Sequence, residues 1–166
     1  MNDPFDTVQD FAFRVEALPH YADDSSGASG ELAYYKEFGS VPKGHNTDWE
    51  DLVRVSRNRG VAVQRLRFVS KPLSLYEEFE LRVGYSAGRS AGEDIRVAGD
   101  ATSFPGIDYW LFDNEQIEII EYGPNGEYVG SSLRPVNIVD RDMIREHLEL
   151  FQQGISPEDY LANIMS

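Results

Sequence analysis

The chain has 166 residues, with 29 acidic side chains against 15 basic ones and a formal net charge of −14. Apolar residues make up 41% and aromatics 12%, enough to build one core and too many for a disordered segment. With no cysteine, disulfides, thiolate zinc sites and cysteine nucleophiles are excluded, and so acidic a surface disfavours direct nucleic-acid binding.

In chain order, residues 6–13 read as a short helix, followed by an extended segment, 13–18, with Phe13, Val15 and Ala17 on one face. The Gly-, Ser- and Asp-rich stretch 22–30 (ADDSSGASG) reads as a flexible loop. Residues 31–38 read as helical. Thr47 and Glu50 then have capping-box spacing at the head of a helix whose face is Trp49, Leu52, Val53 and Ser56. Gly60 is its left-handed stop. The Val-rich run VAVQRLRFV, residues 61–69, follows at once, and a helix closed by Gly before such a strand is the second half of a βαβ unit. This strand is expected near the middle of the sheet.

Residues 72–87 read as a helix with Pro72 in its first turn and Leu75, Phe79 and Val83 at four-residue spacing. Phe79, Leu81, Val83 and Tyr85 also alternate as a strand would. SAGRSAG, residues 86–92, reads as a Gly-rich turn, and 93–97 as a short strand. Residues 108–133 form a β-meander with a hairpin signal at Asn125-Gly126. Two helices close the chain: one with Met143, Ile144, His147, Leu148 and Phe151 on its face, one opened by Ser156-Pro157-Glu158-Asp159. The architecture expected is a single α/β domain over 1–166, with α+β as the alternative. It has a mixed sheet, a helix–strand unit, a C-terminal meander and two terminal helices.

No apolar run approaches the roughly 18–20 residues of a membrane span. The acidic start of the chain has no basic and apolar leader, so the expected location is cytoplasmic.

The charge is polarised along the chain. Residues 1–53 balance to −8, residues 54–96 to +4 and residues 97–166 to −10. Within the basic stretch, Arg65 and Arg67 lie two apart on a strand and point to one face. Two guanidinium forks side by side can clamp a carboxylate or phosphate. The competing reading is that they pair internally with Glu77, Glu80 or Glu93. Glu93, Asp94 and Arg96 follow the Gly-rich turn, where a carboxylate pair can serve as acid and base or hold a partner's arginine. Tyr109, Trp110 and Phe112 can stack a ligand, but alternation makes them equally a strand covered on both faces.

Several reactive patterns fail on context. GYSAG, residues 84–88, has the spacing of a nucleophile elbow, with Asp108 or Asp113 and then His147 in hydrolase order. An elbow needs a strand before the serine and a helix after it, whereas here a helix is expected before and a Gly-rich turn after. His20, His45 and His147 are far apart, and no metal or cofactor is expected. No Walker loop, G-x-G-x-x-G or H-x-K phosphodiesterase pattern is present. An enzyme therefore stays open but is the weaker reading.

The ordered blocks RGVAVQRLRFVSKPLSLYEEFEL, AGEDIRV and PGIDYWLFDNEQIEIIEYGPNGEYVGSSL resemble an actinobacterial family of small cytoplasmic proteins of unknown function. Its members are often encoded beside helix-turn-helix regulators. The resemblance covers about residues 47–150. It implies recurring polar positions at Arg65, Arg67, Tyr76, Glu80, Glu93, Asp94, Arg96, Trp110 and Asp113. It also implies a protein partner, a DNA-binding regulator. The function expected is a binding or regulatory module that holds an anionic ligand or that partner at an Arg/Glu site. An enzyme without a recognisable motif, acting on a phosphorylated or nucleotide-like substrate, is the alternative.

Overall fold

The computed structural model describes residues 3–22, 30–100 and 107–165. The loop expected at 22–30 lies almost entirely outside the described residues. A six-stranded sheet runs in the order β3-β2-β1-β4-β5-β6. Its strands are β1 (Phe11–Glu16), β2 (Ala62–Val69), β3 (Asp94–Asp100), β4 (Asp108–Phe112), β5 (Gln116–Tyr122) and β6 (Tyr128–Pro135). β1, β2 and β3 pair in parallel, and β4, β5 and β6 continue antiparallel as a meander. The protein is thus a mixed α/β fold, and β2 sits inside the sheet. Parallel neighbours require crossovers. The first carries α2 (Glu31–Phe38) and α3 (Thr47–Asn58), and the second carries α4 (Leu75–Phe79), a π-turn (Glu80–Gly84) and α5 (Ser86–Ser90). The chain opens with α1 (Pro4–Thr7) and ends in α6 (Ile138–Gln153) and α7 (Pro157–Met165).

The two sheet faces differ in chemistry. On one, Phe13, Val15, Leu66, Phe68, Tyr109 and Leu111 pack under Ile144 and Phe151 of α6 in a largely apolar core. The other face carries Arg14 and Glu16 of β1, Arg65 and Arg67 of β2, and Asp108 and Trp110 of β4. Register sets Arg14 beside Arg65 and Trp110, and Glu16 beside Arg67. Two smaller apolar clusters flank this polar centre. One is Val8, Ala12, Val61 and Phe112, and the other is Val69, Leu81, Tyr85, Ile95 and Val97.

Several local expectations are corrected. Residues 6–13 are not a helix: α1 stops at Thr7, and Phe11 onwards is drawn into the ladder with β2 and β4. The expected capping box at Thr47 is absent. Asn46 takes the cap position in a left-handed turn, and the Thr47 hydroxyl donates to the Gly44 carbonyl at 2.8 Å. The helix expected over 72–87 begins later, because Ser74 rather than Pro72 caps it, accepting from Glu77 N at 3.0 Å. It also widens into the π-turn, and Leu75 is left exposed. SAGRSAG is not a turn but mostly α5. Its Gly88 is small because of what it touches: a Cβ there would overlap the Glu93 carboxylate.

Candidate functional site

A cavity of about 200 Å³ opens on the charged face of the sheet, lined by Glu16, Arg65, Tyr76, Glu80, Tyr85 and Glu93 together with His45 and Trp49. Strand alternation aims Arg65 and Arg67 into this region from β2. The α3 helix brings Trp49, and the second crossover brings Tyr76, Glu80 and Tyr85.

Arg65 is the hub. Its Nε donates to Glu93 Oε2 at 2.7 Å and its Nη1 to Glu16 Oε1 at 2.7 Å. The guanidinium lies 5.5 Å from the ring centres of Trp49 and Tyr85 and 5.7 Å from that of Trp110, which is cation–π range. Burial opposes its charge, but Glu16 and Glu93 outweigh burial and raise its pKa well above the ordinary value. Glu93 is fixed from its other side by Trp49 Nε1 at 2.9 Å.

Arg67 lies deeper and is fully buried. It donates through Nε and Nη2 to Glu80 Oε1, at 3.0 and 2.6 Å, and through Nη1 to the Phe68 carbonyl at 3.0 Å. Its guanidinium rests 5.3 Å from the Tyr21 ring centre. Behind it, Arg14 donates to Asp108 Oδ2 at 3.1 Å and Tyr122 Oη at 3.0 Å, and Tyr21 donates to the same Asp108 oxygen at 2.5 Å.

The glutamates respond oppositely to one environment. Burial alone would raise Glu16, but Arg65, Arg14 and Arg67 reverse this and bring its pKa down to about 2. Glu80 has one close guanidinium and Glu16 as a like-charged neighbour, so burial wins and lifts it to about 7. Tyr85 joins them, donating to Glu16 Oε1 at 2.9 Å. On the cavity wall, His45 Nε2 lies 3.0 Å from the Gly84 carbonyl, which the π-turn presents. His45 Nδ1 stands 2.6 Å from Glu31 but off the line of a hydrogen bond.

Of the residues singled out from the sequence, Arg65, Tyr76, Glu80 and Glu93 line the cavity, Arg67 anchors Glu80 behind it, and Trp110 covers Arg65. Three lie elsewhere. Asp94 and Arg96 bond each other, at 3.2 and 3.0 Å, and Arg96 reaches the Phe151 carbonyl of α6 on the apolar-core face. Asp113 sits in the β4–β5 turn, where its carboxylate accepts the backbone N–H groups of Gln9, Asp10 and Phe11. The sequence reading missed Glu16, Arg14, Tyr85, His45 and Trp49 as members of the site. The signal for the first two was present: Arg14 and Glu16 alternate with Phe13, Val15 and Ala17, which gives an extended segment a charged face.

Ser86 is not part of a triad. Its hydroxyl donates to the Val83 carbonyl at 2.7 Å, and His147 lies on the opposite sheet face with Nδ1 at 2.7 Å from Tyr109 Oη. Among the described residues there is no group of three or more His, Asp or Glu side chains placed to hold a metal ion. None of their helices is long and apolar enough to cross a membrane.

The model of the DUF6879 family, a domain of unknown function, matches residues 1–162, and the chain belongs to that family. No curated protein matches it. Among solved structures, it is similar to a phospholipase D family member, Nuc from Salmonella typhimurium, with a TM-score of 0.51 and 11% identity over 92% of this chain and 84% of that one. It is also similar to TrmBL2, an archaeal chromatin protein, with a TM-score of 0.45 and 10% identity over 91% of this chain and 46% of that one. At such identity the Nuc likeness concerns the fold alone.

Proposed function

We propose that this DUF6879 protein is a binding module whose cavity receives a small polar ligand through Arg65. The observation that carries this reading is how Arg65 is held. Two carboxylates fix its Nε and Nη1, while its Nη2 has no acceptor among the described residues and the side chain as a whole keeps 12% of its exposure. A guanidinium oriented by its neighbours with one amino group left over can take a ligand at little cost in lost freedom. The surrounding charge narrows the ligand. Glu16, Glu31, Glu80 and Glu93 face the cavity against Arg65. That field opposes a phosphate dianion more than a single carboxylate or a neutral carbonyl on Arg65, and it draws donor groups of the ligand towards Glu31 and Glu80. The regulatory part of the proposal is that occupancy is passed to a protein partner, for which a helix-turn-helix regulator is the candidate from the family resemblance.

A built-in probe tests the site. The chain's two tryptophans, Trp49 and Trp110, both lie against Arg65. Titration with acetate, glycine, succinate and inorganic phosphate should give a saturable change in tryptophan emission with at least one carboxylate. The response should weaken tenfold or more in Arg65→Lys, which keeps the charge and loses the fork. No saturable response, or one unchanged in that variant while it still melts cooperatively, overturns the reading.

One observation favours a catalytic second reading: Glu16 and Glu80 are driven to about 2 and about 7 within one site. Such separation is what acid–base chemistry uses. The phospholipase D likeness does not supply the chemistry, since none of His20, His45 and His147 is followed two residues later by lysine. Under this reading Glu80→Gln abolishes turnover and weakens ligand binding far less than it slows the reaction. Under the binding reading no turnover is found.

A further inference from the structure

The far edge of the sheet has a character unlike the rest of the molecule. Among the described strands β6 is the outermost and pairs with β5 alone, and it is largely exposed along its eight residues. In a chain with 27% charged residues, residues 128–139 (YVGSSLRPVNIV) contain one, Arg134. That charge is spent on Asp140 at the head of α6, in two bonds of 2.6 and 2.9 Å. Around it Tyr128, Val129, Ile138 and Val139 are exposed, the last two at 83% and 82%. Exposed edge strands are ordinarily protected by charged side chains, an added bulge or a covering element. Among the described residues the middle of β6 has none of these: the bulge lies at its start, Ala22 pairs with Glu127 just before it, and Pro135 closes only its end.

The open backbone groups can be located. Val136 N donates inward to Glu115 O at 2.9 Å. By strand alternation Ser131 and Leu133 therefore turn their N–H and C=O groups outward.

From these features we infer that β6 is an interface at which two copies of the chain join edge to edge, antiparallel about a two-fold axis. The occupant follows from charge and symmetry. Copies carrying a net charge of −14 repel each other over most of their surface, and this edge is a neutral strip where they can approach. A basic partner would instead be steered to the acidic surfaces. An antiparallel edge is also self-complementary: the outward pair at Ser131 and Leu133 can meet its own copy, which is what an isologous contact requires. Joining two such edges removes both from water and extends the sheet continuously.

Sedimentation equilibrium of the full chain tests this, read against the 18.8 kDa monomer. The wild type should sediment as a dimer. Ser131→Pro removes one outward N–H and no bond to β5, and Val129→Lys puts charge on the strip, so both should sediment as monomers with unchanged circular dichroism. Hydrogen exchange on the wild type should show the Ser131 and Leu133 amides protected, with protection falling on dilution. A monomer at millimolar concentration overturns the inference. So does a dimer that persists in whichever variant keeps the wild-type circular dichroism, or rapid exchange at both amides in the dimer.

Discussion

Arg67 and Glu80 are joined by two hydrogen bonds that converge on a single carboxylate oxygen, from Nε at 3.0 Å and Nη2 at 2.6 Å. The arginine comes from the interior of a sheet and the glutamate from the first residue of a π-turn, so the contact couples the helical crossover to the strand beneath it. Single π-turns within helices are frequent at functional sites. Here the turn sets Glu80 over Arg67 and the Gly84 carbonyl against His45.

Removing one partner of such a buried pair leaves the other unmatched. Arg67→Ala should cost about 3–5 kcal/mol. Glu80→Gln should cost less than half as much, because Gln keeps the accepting oxygen and Glu80 already carries a proton part of the time near neutral pH. Equilibrium urea unfolding of both variants measures the contrast. Equal losses would mean that Glu80 is fully ionised in the folded protein.

The pH dependence of stability has a defined sign. Glu80 is raised from 4.5 to about 7, so the folded state holds its proton more tightly, and this contribution is lost as pH rises between those values. Glu16 is lowered from 4.5 to about 2, so its contribution is present above 4.5 and lost as pH falls towards 2. Burial lowers His147 from 6.5 to about 4, which removes stability as pH falls through that window and opposes the Glu80 trend. Comparison with Glu80→Gln isolates the glutamate. The variant should gain on the wild type by on the order of 1–3 kcal/mol across the Glu80 window, measured by urea unfolding at stepped pH. Parallel profiles would refute it.

Asp113 and Gly88 separate scaffold from site. Asp113→Asn loses at least one of the backbone bonds from Gln9, Asp10 and Phe11 and should cost about 1–3 kcal/mol. It should leave the tryptophan-monitored titration unchanged. Gly88→Ala drives a methyl group into the Glu93 carboxylate and the Trp49 indole. It should shift tryptophan emission before any ligand is added and weaken binding tenfold or more. Thermal melts and the same titrations distinguish the two.

Most elements were legible because their signals are local. The Val-rich strand at β2, the meander, the Gly60 stop and the Ser156 start each depend on neighbours a few residues apart. Two errors were of local capping, at Asn46 and Ser74, and the others fell where distant contacts override local preference. Phe11–Glu16 begins inside an expected helix because two strands flank it, and Gly88, read as a turn signal, is glycine because a Cβ there would meet the Glu93 carboxylate. Of the site, the pairing of Arg65 with Glu93 and of Arg67 with Glu80 was within reach, since those residues lie in one stretch of chain. The charged face carrying Glu16 was legible too, but its pairing with Arg65 was not, because the two meet across a separation of 49 positions.

What the amino-acid order alone determined is that two arginines leave one strand on a common side in an acidic, cysteine-free α/β protein, since the two-residue strand period needs no partner. Only the tertiary structure decided which carboxylates neutralise them, which guanidinium stays open to a cavity, and which strand is left at the margin. The reason is that pairing register and helix placement are set by contacts between segments far apart in the chain, whose energies no short window of residues contains.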